Sequence, residues 1–214
     1  MKNKIIILIA LLTSIQGNAT TIFFNGSVVQ NPNHIVTFDP ITYTSYPLQS
    51  YIEDSVKVHV DDYGTVGFTP FNPLDPRDTQ FYYGNGGNTS YVSISLSSQS
   101  LINNLDLMVG DGDGAGATNL RWFTYLNGVE VGAGEESNIV QGSIIGFSDT
   151  TGFDELRLAA SGLTVHPGFG EEQSIAIDDI RLNSLDFNEV PLPAGITLFL
   201  SGLAGFGLMR ARNV

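Results

Sequence analysis

Apolar and polar residues alternate with a period of two along much of the chain between residues 20 and 187. In residues 55–61, Val56, Val58 and Val60 alternate with polar side chains, and residues 91–97 repeat this pattern. Strict alternation is typical of strands that bury one face. Shorter runs of this kind are found at residues 105–109, 120–126, 144–147, 155–159 and 174–182. Outside the two chain ends, no stretch of a dozen residues has apolar residues at helical spacing, so the sequence predicts an all-β protein.

Turn-forming residues separate these predicted strands. Asn127 and Gly128 stand between two alternating flanks, and this dipeptide is a strong signal for a tight hairpin. Many short strands joined by turns about every 8–12 residues are typical of antiparallel sandwiches and jelly rolls. We therefore predict one domain over residues 20–187, with the architecture of an antiparallel, jelly-roll-like β-sandwich.

The first 19 residues have the pattern of a secretory signal peptide. Lys2 and Lys4 supply positive charge, and residues 5–12 form an unbroken apolar run. Gly17 and Ala19 place small residues at the positions that signal peptidase requires, so cleavage is predicted after Ala19. The apolar run is much shorter than the ~20 residues of a membrane-spanning helix, which argues against a permanent anchor. The sequence therefore predicts an exported protein.

The last 25 residues contain a proline motif, an uncharged apolar run over residues 196–209 and a basic tail, in that order. Proline fixes its own backbone angle and restricts the residue before it, so the motif is predicted to be extended. The alternative, a buried terminal helix of a soluble domain, fits poorly because the run is apolar on all faces and is followed by basic residues. The motif consists of Val190, Pro191, Leu192, Pro193 and Ala194, and the tail contains Arg210 and Arg212.

This three-part order resembles the PEP-CTERM sorting signal of Gram-negative bacteria, in its VPLPA variant. The resemblance is limited to residues 190–214. It implies a sorting signal over residues 188–214, with a transmembrane helix at about residues 195–209, on which the membrane enzyme exosortase acts. It further implies an intermediate inserted in the inner membrane, delivery to the cell surface or extracellular matrix, and association with exopolysaccharide or biofilm.

Charge and cysteine content narrow the classes of partner and chemistry. Four of the nine basic residues lie in the two terminal segments, residues 1–19 and 190–214, whereas none of the 22 acidic residues does. The region between these segments therefore has five basic and 22 acidic residues, a net charge of −17. Such a surface repels nucleic acid and acidic polysaccharide unless cations intervene. The chain has no cysteine, which excludes disulfides, thiol chemistry and cysteine-ligated zinc.

Residues 152–158 and 175–182 resemble the last two strands of lectin-like or carbohydrate-binding jelly rolls. That resemblance implies a structural calcium ion held by Asp179, from the pair Asp178-Asp179, together with an early partner. Asp39 and Asp54 are the two candidates for this partner. Ca²⁺ takes six to eight oxygen ligands, so carboxylates and loop carbonyls suit it. The alternative is that one aspartate of the pair faces solvent while the other caps a turn.

Aromatic residues beside a Gly/Asn-rich loop are the candidate carbohydrate platform. Tyr82 and Tyr83 directly precede Gly84 and Asn85, so one of these two rings is predicted to be exposed for stacking on a sugar. The aromatics within residues 122–125 are expected to lie mostly in the core, because a sandwich of this size needs large apolar side chains.

Catalytic patterns are weak in this sequence. The three histidines are not at metal-ligand spacing, and no Gly-x-Ser-x-Gly elbow is present. A carboxylate pair suited to glycoside hydrolysis stays open among the 22 acidic residues. The sequence therefore predicts an exported, non-enzymatic surface protein that binds carbohydrate. A polysaccharide-degrading enzyme and a ligand-free structural or adhesive protein are the alternatives.

Overall fold

The computed structural model describes residues 20–39, 50–60, 65–66, 81–85, 91–98, 100–110, 117–161, 172–173 and 175–185. These residues form strands and turns, with no helix among them, which confirms the prediction of an all-β protein. The predicted signal peptide with its cleavage site at Ala19 lies outside the described residues, and so does the sorting signal at residues 188–214. The described residues include no helix that is long and apolar enough to span a membrane.

The described strands form two antiparallel sheets. Sheet 1 has the order β1-β11-β8-β14-β6-β5, with β2 also paired to β14. It contains β1 (Ile22–Phe24), β2 (His34–Val36), β5 (Thr65–Val66), β6 (Tyr82–Asn85), β8 (Leu101–Gly110), β11 (Ser143–Phe153) and β14 (Ala176–Leu185). Sheet 2 has the order β10-β9-β12-β7-β4-β3, with β13 also paired to β12. It contains β3 (Ser50–Glu53), β4 (Val56–Val60), β7 (Val92–Leu96), β9 (Ala117–Leu126), β10 (Val129–Val140), β12 (Glu155–Ser161) and β13 (Glu172–Gln173).

One hydrophobic core lies between the sheets and receives side chains from both. The alternating valines of β4 are fully buried, as their spacing predicts. An aromatic cluster joins the sheets where Trp122 of β9 lies edge-on to Phe147 of β11, with 5.5 Å between ring centroids. Phe23 of β1 stacks on the Trp122 ring at 6.4 Å. The face of each sheet that carries the alternating apolar side chains therefore packs against the same face of the other sheet, which makes a β-sandwich.

The hairpin between β9 and β10 turns at the predicted dipeptide. Leu126 pairs with Val129, so Asn127 and Gly128 are the two loop residues. Both have positive φ angles, 53° and 75°, which the mirror-image hairpin turn requires. Asp154 holds this turn by accepting a hydrogen bond from the Asn127 backbone N–H at 2.5 Å. The hairpin prediction is confirmed.

Residues 25–33, which we call the strap, cross the outer face of sheet 1. The chain leaves β1 at the β11 edge and re-enters the sheet as β2, beside β14. Contact with the sheet is close, because a Cβ added at Gly146 of β11 would lie 2.8 Å from the Gly26 carbonyl oxygen. The outer face of sheet 1 is thus covered by the chain itself along this path.

The strap is held by Asp106 of β8, whose side chain points away from the core and is fully buried. One carboxylate oxygen accepts hydrogen bonds from the backbone N–H groups of Val28 and Val29, at 3.2 and 3.0 Å, and from the Ser27 hydroxyl. The other accepts one from Arg181 Nε at 2.8 Å. A buried charge is tolerated when it is paired and hydrogen-bonded, so this network explains a carboxylate beneath the strap.

Candidate functional site

The three carboxylates predicted as calcium ligands lie in different local settings. Asp54 is in the turn between β3 and β4, where its Oδ2 accepts a hydrogen bond from the Ile35 N–H at 2.9 Å. Asp39 is exposed beyond β2, and Asp179 is partly buried in β14 with a φ of 46°. Within the described ranges, no group of three or more His, Asp or Glu residues could hold a metal ion. The structure does not bring these three aspartates together as such a site.

The pair Asp178-Asp179 interrupts the register of β14. β8 pairs with Asp178 and next with Arg181, which leaves an irregularity between them. Asp178 is fully buried, and its carboxylate accepts a hydrogen bond from the Asp179 N–H at 2.8 Å. The Asp178 side chain thus caps the backbone of Asp179. This agrees with one part of the alternative to a calcium site, in which one aspartate of the pair caps a turn.

Tyr82 is a core residue, so the expectation that its ring is an exposed sugar platform is wrong. Its side chain is fully buried and its ring lies 5.9 Å from that of Phe38. Burial raises the pKa of its hydroxyl above the ordinary value for tyrosine. The reason is strand pairing. Tyr82 of β6 pairs with Ile177 of β14, and in this register the Tyr82 side chain points to the inner face of sheet 1. The side chain of Tyr83 lies outside the described part of the structure.

Aromatic side chains that a ligand can reach lie on the outer face of sheet 2, where they are half-buried among charged side chains. Strand register places them in two adjacent rows, which we call the sheet 2 face. One row contains Ala133, Phe123, Arg157, Ser93, His59 and Ser50, and the next contains Glu130, Tyr125, Glu155, Ser95, Lys57 and Ile52. The neighbours of these residues along β9 and β12, such as Trp122 and Leu156, are buried in the core. Alternation therefore turns the two rows outward.

Contacts within the sheet 2 face fix its central side chains. The Arg157 guanidinium lies over the Tyr125 ring, 4.4 Å from its centroid. Glu155 accepts two hydrogen bonds from Arg157, at 2.9 and 3.0 Å, in a bidentate pair. Tyr91 lies edge-on to Phe123, with 5.6 Å between centroids. A cation over an aromatic ring and a bidentate ion pair both limit side-chain motion, so this part of the face is pre-organised.

The sheet 2 face combines the two features that polyhydroxylated ligands use. Its rings offer flat apolar surface, and its arginine, glutamate and serine side chains offer hydrogen-bonding groups. Lys57, Arg121 and Arg157 are three of the five basic residues between the terminal segments, and all three lie on this side of sheet 2. Arg121 is 3.5 Å from Glu135. Because the arginines are paired with glutamates, the face is more balanced in charge than the protein as a whole.

Sequence reasoning missed this face because it assigned the aromatics of residues 122–125 mostly to the core. The structure divides them: Trp122 is buried, whereas Phe123 and Tyr125 are only partly buried on the opposite side of β9. The period-two pattern contained the signal, since alternate residues of one strand face opposite ways. Which of the two sides is outer follows from the packing of sheet 1 against sheet 2.

A second polar cluster joins β2, the β3–β4 turn and the end of β14. His34 Nδ1 lies 2.8 Å from the Asp54 carbonyl oxygen and 3.8 Å from the Asp54 carboxylate. His34 Nε2 lies 3.4 Å from the Ser184 hydroxyl oxygen. The amide nitrogen of the Asn33 side chain donates to the same hydroxyl at 3.3 Å. We call these four residues the His34 cluster.

Strand pairing explains how residues so far apart in sequence meet. β2 pairs with β14 so that His34 lies opposite Leu182, and the Asn33 N–H donates to the Leu182 carbonyl at 3.2 Å. Ser184 then follows on the same strand, beside the start of β2. No motif spacing connects its members, because His34 and Ser184 are 150 positions apart. The sequence alone therefore contained no signal for the His34 cluster.

No protein-family model matches this chain, and no curated protein matches it.

Proposed function

We propose that this protein is exported, is processed by an exosortase at its C-terminal motif, and is displayed at the cell surface or in the extracellular matrix. The observation that carries this proposal is the order of three elements in residues 190–214, namely a Val-Pro-Leu-Pro-Ala motif, an apolar run and two arginines. The signal-peptide pattern of residues 1–19 supports it, because a sorting signal of this kind requires export first.

The position of the last strand is compatible with such processing. β14 pairs with β8 along most of its length and ends at Leu185. The motif begins at Val190, shortly after this strand. Cleavage within residues 190–194 would therefore remove nothing from the described sandwich. The chemistry of sorting is done to the chain by its partner and leaves the sandwich complete.

We further propose a jelly-roll type of sandwich that binds exopolysaccharide. Most neighbours in sheet 1, such as β11, β8 and β14, and half of those in sheet 2 are not consecutive in the chain, as Greek-key connections between two sheets require. The sheet 2 face supports the binding part, since its rings and paired charges suit a sugar chain. Neutral polysaccharides fit better than acidic ones, because the net charge of −17 between the terminal segments repels anions.

The sorting part is tested by the double substitution Pro191→Ala and Pro193→Ala, expressed in a host that has an exosortase. We expect the doubly substituted chain to stay unprocessed in the membrane fraction, whereas the parent is shortened and delivered to the surface. Asn213→Ala, which lies beyond both arginines, is the control. Unchanged processing of the double variant would refute this part of the proposal.

The binding part is tested by a glycan array probed with the purified protein, with calcium and with a chelator. We expect signal on neutral polysaccharide fragments and little on uronic-acid-rich ones. Equal signal with and without calcium would show that recognition does not require the ion. No signal on any glycan in either condition would refute carbohydrate binding but would leave the sorting proposal standing.

A further inference from the structure

We infer that the His34 cluster is a site for nucleophilic attack by Ser184 on acyl esters. Its four members supply a hydroxyl, an imidazole, a group that orients the imidazole, and an amide donor, joined in the order Asp54, His34, Ser184 and Asn33 by direct contacts. This inference does not rest on the proposed sorting or on polysaccharide binding. It concerns a different part of the sandwich from the sheet 2 face.

The proton on His34 can be assigned from its partner. A backbone carbonyl only accepts hydrogen bonds, so the 2.8 Å contact with the Asp54 carbonyl oxygen requires the proton on Nδ1. Nε2 then has a lone pair directed at the Ser184 hydroxyl, 3.4 Å away. This is the tautomer that a general base needs. The separation is long for a hydrogen bond, but such contacts are commonly long without substrate and shorten when it binds.

Asp54 serves both as orienter and as counter-charge. Its carboxylate oxygen lies 3.8 Å from His34 Nδ1, where it would stabilise an imidazolium. The same oxygen accepts the Ile35 N–H at 2.9 Å, which fixes the carboxylate relative to β2. Asp54 and Ser55 are the two loop residues between the paired Glu53 and Val56, and their positive φ angles, 46° and 65°, are those of a mirror-image hairpin turn. This tight turn holds the Asp54 carbonyl oxygen beside His34.

Asn33 places an amide donor at the nucleophile. Its Nδ2 lies 3.3 Å from the Ser184 oxygen, and its Oδ1 accepts the Ser184 backbone N–H at 3.3 Å. The amide plane is therefore fixed by contacts at both ends. A negative oxygen that forms next to the Ser184 oxygen would lie near this donor, as the oxyanion does in acyl-transfer enzymes.

The reaction is balanced with groups present in the cluster and water. The Ser184 oxygen forms a bond to the acyl carbon while its proton passes to His34 Nε2. The bond from the acyl carbon to the alcohol oxygen then breaks, and the alcohol leaves with that proton. Water repeats the sequence on the acyl-serine, which releases the carboxylic acid and restores Ser184. Because the surrounding groups are polar and Asn33 is exposed, short acyl esters are the substrate class.

A structural role for the same contacts is the competing explanation, because the cluster also ties β2 and the β3–β4 turn to β14. A probe that reacts chemically with an activated serine separates the two. A fluorophosphonate forms a bond between phosphorus and the serine oxygen, fluoride leaves, and the base takes the proton. A serine that is merely hydrogen-bonded in a structural network reacts no faster than other surface serines.

The experiment uses the full chain purified in mild detergent, labelled with a fluorophosphonate and mapped by peptide mass spectrometry. We expect the label on Ser184 and about 100-fold slower labelling in His34→Gln, the size of a general-base contribution. Hydrolysis of p-nitrophenyl acetate should fall at least about tenfold in Ser184→Ala. Ser98→Ala, an exposed serine in the loop before β8, is the matched control and should react like the parent.

The mapped position decides the question even if a variant misfolds. Label on Ser184 of the parent protein that disappears after heat denaturation supports the inference. An unlabelled Ser184, or label spread evenly over several serines, overturns it and leaves the structural explanation. Circular dichroism of each variant shows whether a lower hydrolysis rate comes from unfolding, and a folded Ser184→Ala variant with the parent's rate also overturns the inference.

Discussion

The outer faces of the two sheets are built in opposite ways. On sheet 1 the strap covers a fully buried carboxylate, Asp106, that is bound to backbone N–H groups and to Arg181. On sheet 2 the corresponding surface is formed by partly exposed side chains, with Arg157 lying over Tyr125. Both faces contain an Arg–carboxylate pair, but only the first pair contains a fully buried partner. Burial of one partner therefore decides whether an Arg–carboxylate pair stabilises the fold or stays available to a ligand.

The energetic difference follows from solvent access. Removing one partner of a buried pair leaves an uncompensated charge and typically costs about 3–5 kcal/mol. An exposed pair is screened by water and is worth about 0–1 kcal/mol. The side chains of Arg157 and Glu155 are 33% and 26% exposed, whereas that of Asp106 is 0% exposed. Substitutions on sheet 1 should therefore change stability, and those on the sheet 2 face should change binding.

The largest expected effect is on Asp106. Asp106→Ala removes the acceptor of four donors and should lower the free energy of unfolding by about 3 kcal/mol, because the N–H groups of Val28 and Val29 lose their acceptor and the strap loses its attachment. Chemical denaturation of the purified protein measures this. Asp106→Asn keeps the shape and an acceptor, so it should lose less. A loss below about 1 kcal/mol for the alanine variant would mean that the strap does not depend on this carboxylate.

The next largest effect is expected where the strap crosses β11. In Gly146→Ala the new methyl would meet the Gly26 carbonyl oxygen at 2.8 Å and the Val28 side chain at 2.9 Å. The strap must shift, and we expect a loss of about 1–3 kcal/mol, the usual cost of overpacking. Thermal denaturation, compared with the exposed control Val140→Ala, measures it. If both variants melt together, the strap is loosely packed and the contrast between the faces is weaker.

Tyr125→Ala tests the sheet 2 face by binding. Removing the ring takes away both the apolar surface and the support beneath Arg157, so affinity for a bound polysaccharide should fall about tenfold, or ~1.4 kcal/mol. Affinity electrophoresis with the polysaccharide identified on the array gives this number. The sheet 1 variant Asp106→Asn, tested where it is folded, should bind like the parent. If Asp106→Asn lowers the affinity and Tyr125→Ala does not, the binding surface lies on sheet 1 and not on sheet 2.

The smallest expected effect is on Glu155. Glu155→Gln removes a charge from a partly exposed pair, and the free energy of unfolding should change by less than about 1 kcal/mol. Denaturation at low and high salt provides the check, since a screened pair loses its contribution as salt increases. A loss comparable to that of Asp106→Ala would show that exposure does not explain the difference between the faces.

Local patterns in the sequence predicted much of the sandwich but assigned its sites poorly. The valines of β4 and the Asn127-Gly128 turn follow from spacing and dipeptide chemistry, and the structure confirms both. Either Tyr82 or Tyr83 was expected at the surface from the neighbouring Gly84 and Asn85, yet the strand of Tyr82 pairs with the centre of sheet 1, and the Tyr82 ring is buried. Proximity to turn residues does not show which side of a strand faces the core.

The sequence by itself determined the strand period, the all-β class and the turn at residues 127–128, because these depend on residues close together in the chain. The predictions of a signal peptide and of a sorting signal also rest on linear patterns at the two ends of the chain. Only the tertiary structure decided that Asp106 is buried, that Phe123 and Tyr125 face outward, and that His34 meets Ser184. These properties depend on which strands become neighbours and on what covers each sheet. Such pairings join residues far apart in sequence, and no local pattern encodes them.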